Sequence, residues 1–380
     1  MTRKLPGFLA AMAGFLLTIG AGQADPVTVT DIVGRNVTVN TPIKRAILGE
    51  GRMLYVIAAL DRENPASRIA AWRDDLIQAD PATYAAYREK FPAFADIPTF
   101  SGLEQSLIDI ETAISRKPDV VFLNVESQRA TKDAQYVEKL AALNIPVIYV
   151  DFRHKPMKNT TPSIRLFGKL FGREDRAEAL IRFREKQIAR VTDRLAQANP
   201  ARPKVFLDRA AGYYEDCCHT FGDGNFGRLV TLAGGDNIAN SLLPGTFGQL
   251  NAEQVIASNP AHVIVTSADW EAYVPGGKWV PVGPGADMTE VQRKLAYYPT
   301  RPAYTGIAAQ KTLAFHAAWH QFYNCPYQFI AVQQFAKWFH PDLFTDLDPQ
   351  ATFRELHDKF LPIGFQPGYF ASLKSKGGSS

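Results

Sequence analysis

The sequence predicts an α/β fold of two lobes, each a mainly parallel sheet with flanking helices, joined by one long rigid helix. Three observations carry this. Short apolar runs alternate with helical stretches, the pattern of a parallel sheet covered on both faces. One stretch from Arg173 to Ala198 contains neither Gly nor Pro. And a segment that starts with Glu111 is echoed by another that starts with Glu253, one in each half of the chain.

Size and composition agree. The 380 residues are 46% hydrophobic and 21% charged, which excludes disorder, collagen and coiled coil as descriptions of the whole chain and is enough for two cores. A net charge of +4 is too balanced for a nucleic-acid surface, and three cysteines cannot make a disulfide scaffold.

Residues 1–24 read as a signal peptide. Arg3 and Lys4 precede an apolar stretch from Leu5 to Ala21, and Gly22-Gln23-Ala24 stands before Asp25-Pro26, which places cleavage after Ala24. Pro6, Gly7 and Gly14 interrupt that stretch, so it falls short of a membrane span. No Cys lies near the cleavage point to receive a lipid, so a soluble periplasmic product is expected.

From residue 25 to about 160 the chain reads as the N-terminal lobe. Val27–Thr30 and Arg35–Val39 form a hairpin, followed by strands at Ala46–Leu48, Ile69-Ala70, Val120–Leu123 and Val147–Val150. A helix is expected over Ala130–Leu143. Residues 161–200 hold the interlobe helix, whose Arg173–Ala198 portion would span about 39 Å, longer than a small domain is wide. Residues 201–371 form the C-terminal lobe, with strands at Lys204–Leu207 and Val263–Val265 and helices at Phe226–Ala233, Ala252–Ser258, Pro326–Phe339 and Pro349–Phe360. Residues 372–380 are a polar tail with the composition of a disordered segment.

The internal echo sets Glu111, Ile114, Pro118 and Val121 against Glu253, Ile256, Pro260 and Val263. An inward-packed Ile and a helix-stopping Pro explain two of these positions. Packing does not explain the Glu, although a carboxylate favours a first helical turn in any case.

Together, Val29–Val39, the echo, Leu232–Ile238, and the stretch from His316 to Pro326 before Ala336-Lys337-Trp338 resemble the periplasmic substrate-binding proteins of ABC importers for ferric siderophores, haem and vitamin B12. The resemblance covers the mature chain nearly end to end. It implies a ligand cleft between the lobes, a monomer, and no covalent chemistry: the protein is expected to be a carrier rather than an enzyme and to need no cofactor. It implies further that a small-molecule iron complex is the ligand, that Glu111 and Glu253 dock onto the permease dimer served by its ATPase, and that nucleic acid is not a partner.

Ferric siderophores are often anionic and partly aromatic, so their pocket needs Arg for charge and Tyr or Trp for stacking. Residues that follow strand ends in open α/β sheets are the candidates. They are Arg52, Trp72, Arg73, Arg153, Arg209, Tyr213, Tyr214 and Trp270, with Tyr273 and Trp279 placed alike; Arg73, Arg209 and Tyr213 come first. Haem is the rival ligand, since Tyr213, Tyr214 or His219 is a suitable iron ligand and Arg pairs with propionates; vitamin B12 asks for aromatics rather than Arg.

Cys217-Cys218-His219 is too tightly spaced for a zinc site, and a disulfide from Cys325 to Cys217 or Cys218 is expected instead. His316 and His320, four apart, read as one helical face of ordinary packing. An exported α/β hydrolase is the competing class, but the chain has no Gly-x-Ser-x-Gly elbow. Gly222-Asp-Gly224-Asn-Phe-Gly227 has dinucleotide-loop spacing in the wrong context and reads as a turn into a helix. A sensor subunit would share the same fold.

Overall fold

The structure is a computed structural model that describes residues 1–2, 25–101 and 107–374. All but the first two residues of the expected signal peptide, and most of the polar tail, therefore lie outside the described residues.

The chain opens with an antiparallel hairpin of β1 (Asp25–Thr30) and β2 (Asn36–Thr41). Its turn is closed by Asp31, which accepts hydrogen bonds from the backbone N–H groups of Val33 and Arg35 and pairs with the Arg35 guanidinium at 2.7 Å. The first sheet follows, built from β3 (Ala46–Leu48), β4 (Ile69–Arg73), β5 (Thr99–Phe100), β6 (Val120–Asn124) and β7 (Val147–Val150) in the order β5-β4-β3-β6-β7, parallel throughout. β3, β4, β6 and β7 are buried at every position, as expected of a sheet covered on both faces.

The second sheet uses β8 (Lys204–Asp208), β10 (Asp236–Asn237), β12 (His262–Ser267), β13 (Phe315–Trp319) and β14 (Phe370–Ser372) in the order β10-β8-β12-β13-β14, parallel except for β14 at the edge. A small antiparallel pair, β9 (His219–Phe221) with β11 (Phe247–Gln249), stands beside it.

Between the two sheets runs the Glu174–Ala198 helix, preceded by a Pro156–Phe171 helix. The break is at Gly172, whose φ of +61° ends the first helix in a left-handed cap. The long helix has no interior Pro or Gly, and it buries Leu180, Ile181, Phe183 and Val191 along one stripe while its other faces stay polar. An uninterrupted helix resists bending.

Four expectations need correction. Ala130–Leu143 is two short helices, Gln128–Asp133 and Tyr136–Ala141, because Gln135 adopts a left-handed conformation between them. The segment holding His316 is strand β13 rather than helix, so His316 and His320 share no helical face: His316 lies within the sheet, and His320 opens the turn after it. Ile114 and Ile256 do not pack inward; they are 42% and 40% exposed, and the buried side chains of their helices are Ala113 and Val255. Finally, Cys217 bonds to Cys218 and Cys325 is a free, buried thiol. Cys325 is packed in the core cluster that includes Tyr327 and Phe329, whereas Cys218 belongs to a separate cluster with Phe206 and Val263, so the expected bridge has no path.

Burial keeps several imidazoles neutral. It lowers His262 to about 4, helped by His340, lowers His316 to about 3, helped by His262, and lowers His357 to about 4. An unfolded chain protonates these groups near 6.5, so they contribute stability above that pH, and the contribution is lost as pH falls from about 6.5 toward 4. Buried Asp80, raised to about 6, acts in the opposite sense and gains stability as pH falls below 6. Asp208 is raised by burial as well, and His320 is driven well down; each pH unit by which a pKa moves on folding is worth roughly 1.4 kcal/mol, so the lowered imidazoles outweigh the two raised carboxyls and leave a net loss. Urea midpoints measured from pH 7 to pH 4.5 should therefore fall steadily; a flat or rising series would contradict the assignment.

Candidate functional site: a cleft between the lobes

The cleft lies where the C-terminal ends of both sheets face each other, the usual ligand position in open α/β sheets. β3 runs into Glu50 and Arg52, β4 ends at Arg73, β6 runs into Glu126 and β7 into Arg153. From the other lobe, β8 runs into Arg209, β12 leads to Trp270, and β13 delivers His320, Gln321 and Tyr323. The arginines, Trp270, His320, Gln321 and Tyr323 line a cavity of about 490 Å³, with Glu50 and Glu126 behind them.

The N-terminal lobe supplies a floor of cations held by carboxylates. Arg52 donates through Nε to Asp75 at 2.6 Å, and Asp75 also accepts the backbone N–H of Gly51 at 2.6 Å. Arg73 reaches Asp75 at 3.2 Å and Glu50 at 3.3 Å, and Arg153 pairs with Glu126 at 3.1 Å. Burial by itself would raise the Asp75 carboxyl, but Arg52, Arg73 and the Gly51 N–H outweigh it and hold the group below the usual carboxylate range. Arg73 is 1% and Arg153 2% exposed, so their compensation is obligatory rather than optional.

The same network crosses between the lobes. Glu50 accepts from Asn124 at 3.3 Å on its own side and from Asn324 at 2.9 Å on the other. Arg52 donates to Gln321 at 3.2 Å and to the Tyr323 hydroxyl. The Tyr323 ring is flanked by the guanidinium carbons of Arg52 at 5.0 Å and Arg153 at 4.9 Å. Further bonds pin the floor: Gln321 to the Ala79 carbonyl, Asn225 to the Arg153 carbonyl and Gln328 to the Phe152 carbonyl.

The C-terminal lobe supplies an aromatic wall. Tyr213 meets Tyr214 at 5.1 Å, Trp270 at 5.6 Å and Tyr273 at 5.8 Å between ring centres. Gly212 sets this wall: its φ is +83°, and a Cβ there would come within 2.1 Å of the Trp279 backbone nitrogen. His320 lies behind, bonded through Nδ1 to Thr266 at 3.0 Å; burial, reinforced by Arg209, Arg52 and Arg153, drives its pKa well down and keeps it neutral.

Of the residues expected to bind ligand, Arg52, Arg73, Arg153, Arg209, Tyr213, Tyr214 and Trp270 all line this one cleft, as does Tyr273. Trp72 does not. Adjacent strand residues point to opposite faces, so where Arg73 turns to the cleft, Trp72 enters the core and stacks on Phe94 at 5.5 Å. Trp279 lines a neighbouring hollow with Trp319. Sequence reasoning missed Asp75, Glu50, Glu126, Gln321 and Tyr323. Glu50 and Asp75 stand beside the selected arginines and Glu126 follows the end of β6, so attention to acids as well as cations would have found them. Gln321 and Tyr323 follow β13, a strand that the local pattern does not distinguish from helix.

Glu111 and Glu253 occupy matching positions. Each is the second residue of a short helix, Ile110–Ser115 and Ala252–Ser258, whose caps are Asp109, accepting from Thr112 N–H, and Asn251, in a capping box with Gln254. Both glutamates are exposed. Each helix feeds directly into a parallel strand, β6 or β12, so its N-terminus lies at the level where its sheet's strands end and the cleft opens.

Replacing Glu50 with Gln removes a charge shared by Arg73 and Arg153 in a buried site. Denaturant unfolding should show a loss of about 3 kcal/mol; unchanged stability would show that Asp75 and Glu126 suffice.

Residues 82–289 match the family model described as periplasmic binding protein. Among solved structures, the TroA-like periplasmic binding protein FepB from Veillonella parvula is similar at 26% identity over 92% of this chain and 100% of that one, with a TM-score of 0.82. MolA of Haemophilus influenzae, bound to molybdate, is similar at 19% identity over 90% of this chain and 99% of its own, with a TM-score of 0.67. An ABC-type Fe3+-hydroxamate transport system protein from Saccharomonospora viridis is similar at 18% identity over 83% and 99%, with a TM-score of 0.57. No curated protein matches in sequence. With two parallel-sheet lobes, a cleft between them and a family model that covers more than half of its length, the chain belongs to the periplasmic binding protein family, which implies a small-molecule ligand and an ABC permease as partner.

Proposed function

We propose that this protein captures a ferric siderophore-type complex in the periplasm and delivers it to an inner-membrane ABC permease. The observation that carries this reading is the convergence of Arg52, Arg73, Arg153 and Arg209 with Tyr213, Tyr214, Trp270 and Tyr273 in one interlobe cleft. Guanidiniums donate to the oxygens that surround a chelated metal, and the rings stack on the chelator's planar groups. Asp75 is the one carboxylate among the described lining residues and is already held by Arg52 and Arg73, so the cleft offers no acidic cage to a bare metal ion, which favours an enveloped one. The protein acts as a monomeric carrier and not as an enzyme, and its exported form begins after Ala24. The iron-hydroxamate protein from Saccharomonospora viridis, a structural neighbour, fits the same ligand class. Haem is a second reading, favoured by the Tyr213 and Tyr214 hydroxyls beside four arginines.

In this reading Glu111 and Glu253 are the two contacts with the permease, one per lobe. Ile114 and Ile256, three residues on and exposed, lie on the same helix faces and add an apolar contact to each carboxylate.

Titration with ferric catecholate, hydroxamate and carboxylate complexes and with haem should quench Trp fluorescence at roughly micromolar concentration or below, since Trp270 lines the cleft. Silence across the whole panel would reject the ligand class. The Glu111→Ala, Glu253→Ala double variant should bind ligand normally and fail to support uptake in cells; normal uptake would remove the docking assignment.

A further inference from the structure

We propose that the cleft is charge-matched to a ligand carrying one net negative charge, and that Arg209 is the residue that selects for it. The inference rests on reading the site as one for a ferric complex, and it narrows that class.

The partners of each cation differ. Four guanidiniums line the cleft, and three of them already hold carboxylates: Arg52 with Asp75 at 2.6 Å, Arg73 with Asp75 at 3.2 Å and Glu50 at 3.3 Å, and Arg153 with Glu126 at 3.1 Å. Three carboxylates therefore balance three of four cations. Those arginines still offer N–H groups to ligand oxygens, but their charge is spent.

Arg209 stands apart. Among the described residues no carboxylate lies within ion-pair distance of its guanidinium. What surrounds it is aromatic: the rings of Phe247 at 4.8 Å, Phe221 at 5.8 Å and Tyr214 at 5.9 Å from the guanidinium carbon. Ring faces attract a cation and fix its place, but they do not cancel its charge. The adjoining carboxylate, Asp208, is committed to Arg301 at 2.9 Å and to the Tyr304 hydroxyl. Glu215 and Asp216, on the loop beyond, are exposed to solvent, where their charge is screened. His320 adds no charge in its neutral form.

The cleft thus presents one uncompensated positive charge, half-buried on the C-terminal lobe. A neutral complex would cover Arg209 and strip its water without replacing it. A triply negative complex would bring two surplus charges to a floor already holding Asp75, with Glu50 and Glu126 behind it. A singly negative complex satisfies both walls. Arg209 is accordingly a specificity-determining residue, whereas Arg52, Arg73 and Arg153 shape the floor.

The test uses three ferric complexes of related chemistry: tris-catecholate, triply negative; bis-catecholate, singly negative; and tris-hydroxamate, neutral. Affinities are measured by calorimetry at fixed ionic strength for the wild-type protein, Arg209→Gln and Arg209→Lys. The wild type should prefer the singly negative complex by about tenfold or more over each of the others. Arg209→Gln should lose that margin by weakening the singly negative complex and tightening the neutral one, which no longer strips a charged group of water, with folding checked separately by an unchanged urea midpoint, and Arg209→Lys should keep most of the margin. Equal or tighter binding of the triply negative complex by the wild type, or an equal loss for all complexes in Arg209→Gln, would overturn the charge assignment and leave the iron-complex reading standing. Silence of the wild type toward all three would overturn both.

Discussion

Everything at the cleft depends on burying carboxylates next to the arginines that a ligand is to meet. A guanidinium that is 1% or 2% exposed, as in Arg73 and Arg153, is costly to leave without an acid, because burial takes away its water. Glu50, Asp75 and Glu126 meet that cost, and Glu50 does so at the junction of the lobes, where Asn324 from the second lobe shares its oxygen with Asn124 from the first. The interaction that positions the binding residues is thus the same one that fixes the floor between the lobes.

A stiff frame follows from this. The Glu174–Ala198 helix spans from one lobe to the other without a hinge residue, and Arg176 at its start ties it to the carbonyls of Ala59 in the first lobe and Phe360 in the second. Lys90 reaches across to Pro362 and Tyr327 to the Tyr55 carbonyl. A frame pinned at so many points offers a ligand a cleft that is largely formed before binding, which lowers the ordering cost of association. It also means that opening the cleft requires force from outside, consistent with handles on both lobes at the level of its mouth. The two walls divide their tasks: cations on the first lobe are immobilised by buried acids, whereas the aromatic groups of the second lobe, 37% to 38% exposed at Tyr213, Tyr214 and Tyr273, keep the freedom to adapt.

Much of this is legible in the sequence because it rests on local rules. Val120–Leu123 and Val147–Val150 carry β-branched residues just after Pro118 and Pro146, which favours buried strands, and the 26 residues from Arg173 to Ala198, amphipathic and without Gly or Pro, favour one long helix. Residues after strand ends point into the cleft by topology, so Arg52, Arg73, Arg153, Arg209 and Tyr213 stand out from their positions alone. What escapes depends on pairing across distance. Nothing local marks Tyr323 as the ring between two arginines, and although Glu50 stands beside Arg52 in sequence, its bond to Asn324 in the other lobe does not show there. Trp72 misleads because proximity to a strand end does not say which face a side chain takes, and one residue of phase decides it. His316 misleads because Phe315–Trp319 is short and apolar, a length at which periodicity cannot separate strand from helix. Ile114 and Ile256 mislead because a helix of six or seven residues offers little face to bury, and Ala113 and Val255 take the inward positions instead.

That a ligand is held between the two walls by residues already in place is tested most directly by hydrogen exchange with and without a ferric complex bound. Added protection is expected at residues 50–53, 209–214, 268–274 and 320–324, drawn from both lobes, with little change along 174–198 or at 110–115 and 252–258. Protection confined to one lobe, or spread along the connecting helix, would contradict it.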